Sequence, residues 1–165
     1  MIRVIFVLIL AWNGIAHAGL GVSVSPYPGP GSVGVSVPAG CDDGLLSNGC
    51  FDGGTTDWSM TYGGTNTMTV TDGVLTYTEN EGSYEGAKQA VSIVNSANYT
   101  LTYDITAISG SFYVYIGGEG CATVSATGSG LTTTCNAGVD DEIKFIAAGS
   151  AVKSISIDNV KLTAN

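Results

Sequence analysis

Asn48-Gly49-Cys50-Phe51-Asp52-Gly53-Gly54, with Trp58 four residues on, brings a turn, a core aromatic, a carboxylate and two glycines together in close succession. An Asn-Gly step reverses the chain at little steric cost, and Phe51 and Trp58 offer an apolar anchor directly after it. The counterpart of this stretch lies at the other end of the chain, in Ser154-Ile155-Ser156-Ile157-Asp158-Asn159-Val160-Lys161-Leu162. There Ile155 and Ile157, then Val160 and Leu162, are expected to point inward on either side of the Asp-Asn step. The two ends are expected to meet.

Between them the sequence shows strand periodicity and almost no helical pattern. Residues 67–71, 74–78, 89–94, 99–105, 111–116, 121–126, 131–135, 142–146 and 154–162 alternate in polarity or are β-branched, with Gly, Asn or Asp between them. Asp72-Gly73 marks a tight turn between the first two segments. Short strands at this spacing predict an all-β domain, a jelly-roll β-sandwich of two antiparallel sheets.

Alternation also sorts the side chains by face. Tyr99, Leu101, Tyr103 and Ile105 share one parity and should face the core, leaving Thr100, Thr102 and Asp104 to water. Phe112, Val114 and Ile116 form the core set of the next strand, which places Tyr113 and Tyr115 side by side on its outer face. Two such tyrosines predict a flat apolar strip with hydroxyls, suited to stacking on the C–H face of a sugar ring; cover by another strand, loop or subunit is the alternative. Tyr62, Tyr84, Asn80 and Gln89 are further candidates for that face. Tyr84 lies in a loop between glycines, whereas Gln89 shares parity with Val91 and Ile93 and could instead point inward and bond to backbone.

The opening Asn-Gly-x-Phe-acid-x-Gly with Trp and the closing Ile-Asp-Asn-Val-x-Leu resemble the carbohydrate-binding modules of families 4 and 9, which are galactose-binding-domain-like β-sandwiches. The resemblance runs from about Asn48 to Leu162 and rests on short motifs. It implies glycan binding by aromatic and amide side chains of one concave sheet. It also implies a structural calcium between the first strand and the last, held here by Asp52, where the family more often has Glu, and Asp158. Calcium takes six to eight oxygens, and glycine-rich turns leave carbonyls free to supply some of them. Without a metal, Asp52 would cap a turn and Asp158 would pair with a lysine.

Composition fits one small domain preceded by two other segments. Residues 1–18 carry a basic start, an apolar run and Ala16-His17-Ala18, the pattern of a secretory signal peptide. Residues 19–40 hold all four prolines and a duplicated Gly-Val-Ser-Val, which predicts an extended low-complexity arm or linker. Residues 41–165 remain as the sandwich domain. The formal net charge is −9, and only Lys88, Lys144, Lys153 and Lys161 of the five basic residues lie in the domain. Nucleic acid is therefore not an expected partner, because phosphate neutralisation needs clustered cations.

Cys41, Cys50, Cys121 and Cys135 allow three pairings in an oxidising compartment. Cys121 and Cys135 lie equidistant from Gly128, so a hairpin turning there would oppose them, leaving Cys41 and Cys50 to close a short loop. By the chain-entropy estimate such a loop closure stabilises by roughly 2.5–3 kcal/mol. A metal site on these cysteines has no support, since there is no C-x-x-C spacing and the only histidine is His17.

Catalysis has little to stand on. No histidine follows His17, so Ser-His, Cys-His and histidine-based metal mechanisms are excluded for residues 41–165. Asp140-Asp141-Glu142 and Glu79, Glu81 and Glu85 could supply the paired acids of a glycoside hydrolase, but acids clustered at strand ends are most often solvated turn residues. The expectation is a non-enzyme. Two functional classes follow. One is a secreted, non-catalytic module binding a glycan or polysaccharide; the other is a virion or cell-surface structural protein, a decoration, tail or adhesion module, anchored in a larger assembly through residues 19–40.

Overall fold

The computed structural model describes Cys41 and residues 44–62, 64–82 and 84–165. The leader and arm expected over 1–18 and 19–40, and Asp42 and Asp43 in the small cysteine loop, lie outside the described residues. Among the described residues ten strands follow in order: β1 (Trp58–Met60), β2 (Thr67–Thr71), β3 (Val74–Glu79), β4 (Gly86–Ala90), β5 (Asn98–Ser109), β6 (Phe112–Ile116), β7 (Glu119–Val124), β8 (Gly128–Asn136), β9 (Glu142–Ala147) and β10 (Lys153–Ala164). They form two five-stranded antiparallel sheets, ordered β1-β4-β9-β6-β7 and β2-β3-β10-β5-β8. The described residues form an all-β jelly-roll sandwich.

Burial follows the alternation. Tyr99, Leu101, Tyr103 and Ile105 of β5 are buried, as are Phe112, Val114 and Ile116 of β6, while the residues between them are half-buried. In β10 the inward parity changes between Ile157 and Val160, all four of its inward apolar residues being fully buried. The change is made by a bulge: the β5–β10 register slips between Asp158 and Lys161, and Asn159 takes a positive φ of 51°. An extra residue there restores the core face to Val160 and Leu162.

The two ends of the domain do meet. The Val160 N–H donates to the Gly49 carbonyl at 2.9 Å, and the Leu45 N–H to the Leu162 carbonyl at 2.8 Å. A Cβ on Gly49 would lie 2.0 Å from the Val160 carbonyl oxygen, so only glycine permits this approach. Asn48 organises the turn that follows: its Nδ2 donates to the carbonyls of Gly54 and Thr56, both at 2.9 Å, and its Oδ1 accepts from the Gly53 N–H at 3.0 Å. The turn sets Phe51 and Trp58 against one another with ring centroids 5.2 Å apart. Asp72 and Gly73, with φ of 51° and 78°, make the expected tight turn between β2 and β3.

Two sequence expectations are corrected, and one strand is new. The strand expected over 89–94 is β4, Gly86–Ala90, because Asp141 draws the chain out of the ladder: its carbonyl accepts the Val91 N–H at 3.0 Å and its Oδ1 the Ile93 N–H at 2.9 Å. β1, too short to show a period, was not expected at all. No hairpin turns at Gly128: β7 pairs with β6 in one sheet and β8 with β5 in the other. Cys121 and Cys135 nevertheless stand opposed, with Cα atoms 5.7 Å apart, and so bridge the two sheets at their edges. Cys41 and Cys50 are bridged at a Cα separation of 5.5 Å.

Candidate functional site

With Phe112, Val114 and Ile116 inward, β6 presents Tyr113 and Tyr115 to the outer face of its sheet. Strand register fixes their neighbours. Tyr115 lies beside Lys144 of β9, which pairs with Lys88 of β4 and so with Ser59 of β1, and on its other side beside Gly120 of β7. Tyr113 lies between Ile146 of β9 and Thr123 of β7. The two rings are not a flat strip: their planes meet at 76° with centroids 6.3 Å apart. Edge-to-face contact matches the positive ring edge to the negative face, and it wins over coplanarity at this separation.

Tyr115 forms a ridge between two grooves. One, of about 390 Å³, is lined by Thr61, Tyr84, Tyr115, Gly118, Lys144 and Ile146. The other, of about 430 Å³, is lined by Tyr113, Tyr115, Gly120, Cys121, Ala122 and Thr123. A Cβ on Gly120 would lie in ordinary van der Waals contact with the Tyr115 ring, at 3.4 Å. Aromatic walls with nearby hydroxyl and ammonium groups can stack on the C–H face of a sugar and bond its hydroxyls.

A charge network crosses the floor of this face. Glu142 accepts from Lys88 at 3.0 Å and from Lys144 at 2.5 Å, and Asp140 stands 3.7 Å from Lys144. Lys88 and Lys144, directly opposite one another on neighbouring strands, would repel without the carboxylate between them. The Lys144 ammonium also lies 5.9 Å from the Tyr115 ring centroid. Burial alone would raise the Glu142 pKa, but the hydrogen bonds and charges of Lys144 and Lys88 outweigh it and hold the carboxyl below its ordinary value. An ionised, doubly paired carboxylate is the opposite of the raised acid that glycoside hydrolysis requires.

The sequence candidates divide as follows. Tyr113, Tyr115 and Tyr84 come together around the grooves, Tyr84 being 69% exposed. Tyr62 is also exposed but lines neither groove. Gln89 is taken off the face: it is buried, its Oε1 accepts the Ser47 N–H at 3.1 Å and its Nε2 donates to the Ser47 carbonyl at 2.6 Å. Its inward parity puts it beneath the entering chain, where it satisfies backbone. Asn80 is likewise occupied, bonding the Thr65 carbonyl at 2.8 Å. Lys88, Lys144, Thr61 and Ile146 escaped the sequence reading, although the outward parity of the two lysines between Ala87, Gln89, Ile143 and Phe145 was a usable signal.

At the junction of the chain ends, Asp158 is half-buried and Asp52 exposed. Burial raises the Asp158 pKa, the charges of Asp104 and Asp52 raise it further, and the Asn159 N–H opposes them. Asp104, directly across from Asp158 on β5, accepts from the Gly130 N–H, the Ser129 hydroxyl and the Asn159 amide. Among the described residues no three of His, Cys, Asp and Glu are grouped closely enough to hold a metal. A cation here would draw two carboxylate ligands at most and would depend on carbonyls for the rest.

No family model matches the chain, and no curated protein does. Solved structures of the same fold do. A family 4 carbohydrate-binding module, CBM4, superposes with a TM-score of 0.50 at 14% identity, covering 73% of this chain and 99% of that one. The enzymatically active domain of bacteriophage CBA120 tailspike protein 4 superposes with a TM-score of 0.51 at 16% identity, over 74% of this chain and 21% of the tailspike chain. A family 29 carbohydrate-binding module gives a TM-score of 0.49 at 18% identity, over 66% of this chain and 81% of that one. At these identities the likeness shows the fold alone.

Proposed function

We propose that the protein is a secreted, non-catalytic carbohydrate-binding module that takes a glycan on the outer face of the β1-β4-β9-β6-β7 sheet. The observation that carries this reading is the Tyr115 ridge, shared by two grooves and joined by Tyr113 on one side and Tyr84 on the other. Lys144, Lys88 and Glu142 would bond sugar hydroxyls beside the stacking rings. The fold shared with a CBM4 module and the two cysteine bridges are consistent with this role outside the cell. A glycan array on residues 41–165, repeated with Tyr113 and Tyr115 both changed to Ala, tests it.

A second reading, a structural module on a virion or cell surface, is favoured by the fold shared with part of a phage tailspike. In that case residues 19–40 would anchor the domain in a larger assembly and the tyrosine face would contact protein. Release of the double tyrosine variant from such an assembly, with no glycan bound by either form, would select it. Calcium is proposed for the other end of the molecule, where Asp52 and Asp158 would be its carboxylate ligands and would lose their mutual repulsion.

A further inference from the structure

The bridge between Cys121 and Cys135 does more than close a loop. Cys121 lines the groove that holds Tyr113 and Tyr115, and its strand, β7, is an edge of the sheet that carries them. None of the residues of β7 is fully buried. Its partner across the bridge, β8, is an edge of the opposite sheet and buries only Thr133. Residues 125–127 tie the two strands at one end and the bridge ties them at the other. Beyond this, β7 is held by its ladder to β6 and by the partial packing of Cys121, Ala122 and Val124 against the core. An edge strand with so little buried surface is a low-stability unit. By contrast Phe112, Val114, Ile116, Ile143 and Phe145, which anchor β6 and β9, are completely buried.

We infer that the binding face depends on the redox state of this pair: opening the Cys121–Cys135 bridge frees β7 and unmakes the groove beside Tyr113 and Tyr115, while the rest of the sandwich stays folded. The inference rests on the carbohydrate-binding reading for its functional consequence. A dithiol such as dithiothreitol supplies the chemistry. One of its thiolates attacks a bridge sulfur, the S–S bond breaks and a mixed disulfide forms. Its second thiolate then displaces the protein sulfur. The protein gains two electrons and two protons as two thiols, and the reductant leaves as its cyclic disulfide.

Hydrogen exchange on the oxidised and dithiothreitol-treated protein tests the structural step without any glycan. Peptides covering residues 119–127 should exchange roughly tenfold faster or more after reduction, while those of β6, β9 and β10 keep their protection. Cys121→Ser with Cys135→Ser, which keeps the Cys41–Cys50 bridge, should do the same without reductant. In affinity electrophoresis through hydroxyethylcellulose, xylan or galactomannan, the oxidised protein should be retarded. The reduced protein and the double serine variant should lose roughly tenfold or more in affinity, about 1.4 kcal/mol or more, and reoxidation should restore the wild type. In the double serine variant, where Cys41–Cys50 stays closed, unchanged protection over residues 119–127, loss of protection across the whole domain, or full affinity would overturn the inference. If the oxidised protein is retarded by none of the three polysaccharides, the carbohydrate reading loses its support, and the exchange data alone decide whether the bridge holds β7.

Discussion

Asp158 and Asp104 face one another across β10 and β5 and share a single amide: Asn159 Nδ2 donates to Asp104 Oδ2 at 2.8 Å and to Asp158 Oδ2 at 3.3 Å. Their acidities part in opposite directions. Asp158 is raised by burial and by the charges of Asp104 and Asp52. For Asp104, burial is outweighed by the Gly130 N–H, the Asn159 amide and the Ser129 hydroxyl, and its pKa is lowered.

Stability should therefore respond to pH with two signs. Between its unfolded and its raised folded pKa, Asp158 holds more protons in the folded state. Its favourable contribution is complete below the ordinary value of 3.8 and is lost as pH rises through the folded value. Asp104 contributes stability above its ordinary value that is lost as pH falls through the lowered one. In chelator, Asp158→Asn should raise the melting temperature at pH 7 and flatten its dependence above pH 4. Asp104→Asn should cost about 1 kcal/mol at pH 7, and less in acid. Thermal melts from pH 3 to 7 check both.

Calcium should reverse the first of these signs. A native-state ligand at a hundred times its dissociation constant adds about 2.7 kcal/mol, so wild-type protein should melt several degrees higher in calcium than in chelator. Asp52→Asn and Asp158→Asn should lose that increment, turning Asp158→Asn from stabilising to destabilising. Equal wild-type melts with and without calcium would count against a metal at this end.

Among the tyrosines, Tyr115 should matter most for binding because it borders both grooves. Tyr115→Ala should cost about 2 kcal/mol of glycan affinity, roughly thirtyfold, with Tyr113→Ala and Tyr84→Ala costing less and Tyr62→Ala nothing. Melting temperatures should barely move, since these side chains lie outside the core. Isothermal titration with an array-selected oligosaccharide gives the ranking. Unfolding of the Tyr113 and Tyr115 double variant would contradict their outward placement.

Gln89 should behave in the opposite way. Replacing it with Leu removes both hydrogen bonds to the backbone of the exposed Ser47 and should destabilise by roughly 1–2 kcal/mol with no effect on glycan affinity in the folded fraction. Urea unfolding with parallel binding separates the two.

Gly49→Ala should be among the most damaging single-methyl changes in the domain. The new Cβ meets the Val160 carbonyl oxygen at 2.0 Å, and that oxygen belongs to a backbone that cannot swing aside. A loss of about 2–3 kcal/mol is expected, read as a lower urea midpoint with an unchanged slope.

The sequence by itself determined which way most side chains point. Polarity alternates residue by residue, a property of one strand alone, so Tyr99 to Ile105, Phe112 to Ile116 and the parity change around Asp158-Asn159 could be assigned without knowing any neighbour. The Asp72-Gly73 turn was equally local, because positive φ at both residues is a short-range demand. Apart from the β2–β3 hairpin, which strands lie side by side was decided only by tertiary structure, since the pairing of distant segments is set by their mutual fit and leaves no mark on either alone. That is why Cys121 and Cys135 are opposed across two sheets rather than across a hairpin. The same reason explains how Tyr84 and Lys144 reach Tyr115, and how Gln89 comes to lie beneath Ser47 instead of on the open face.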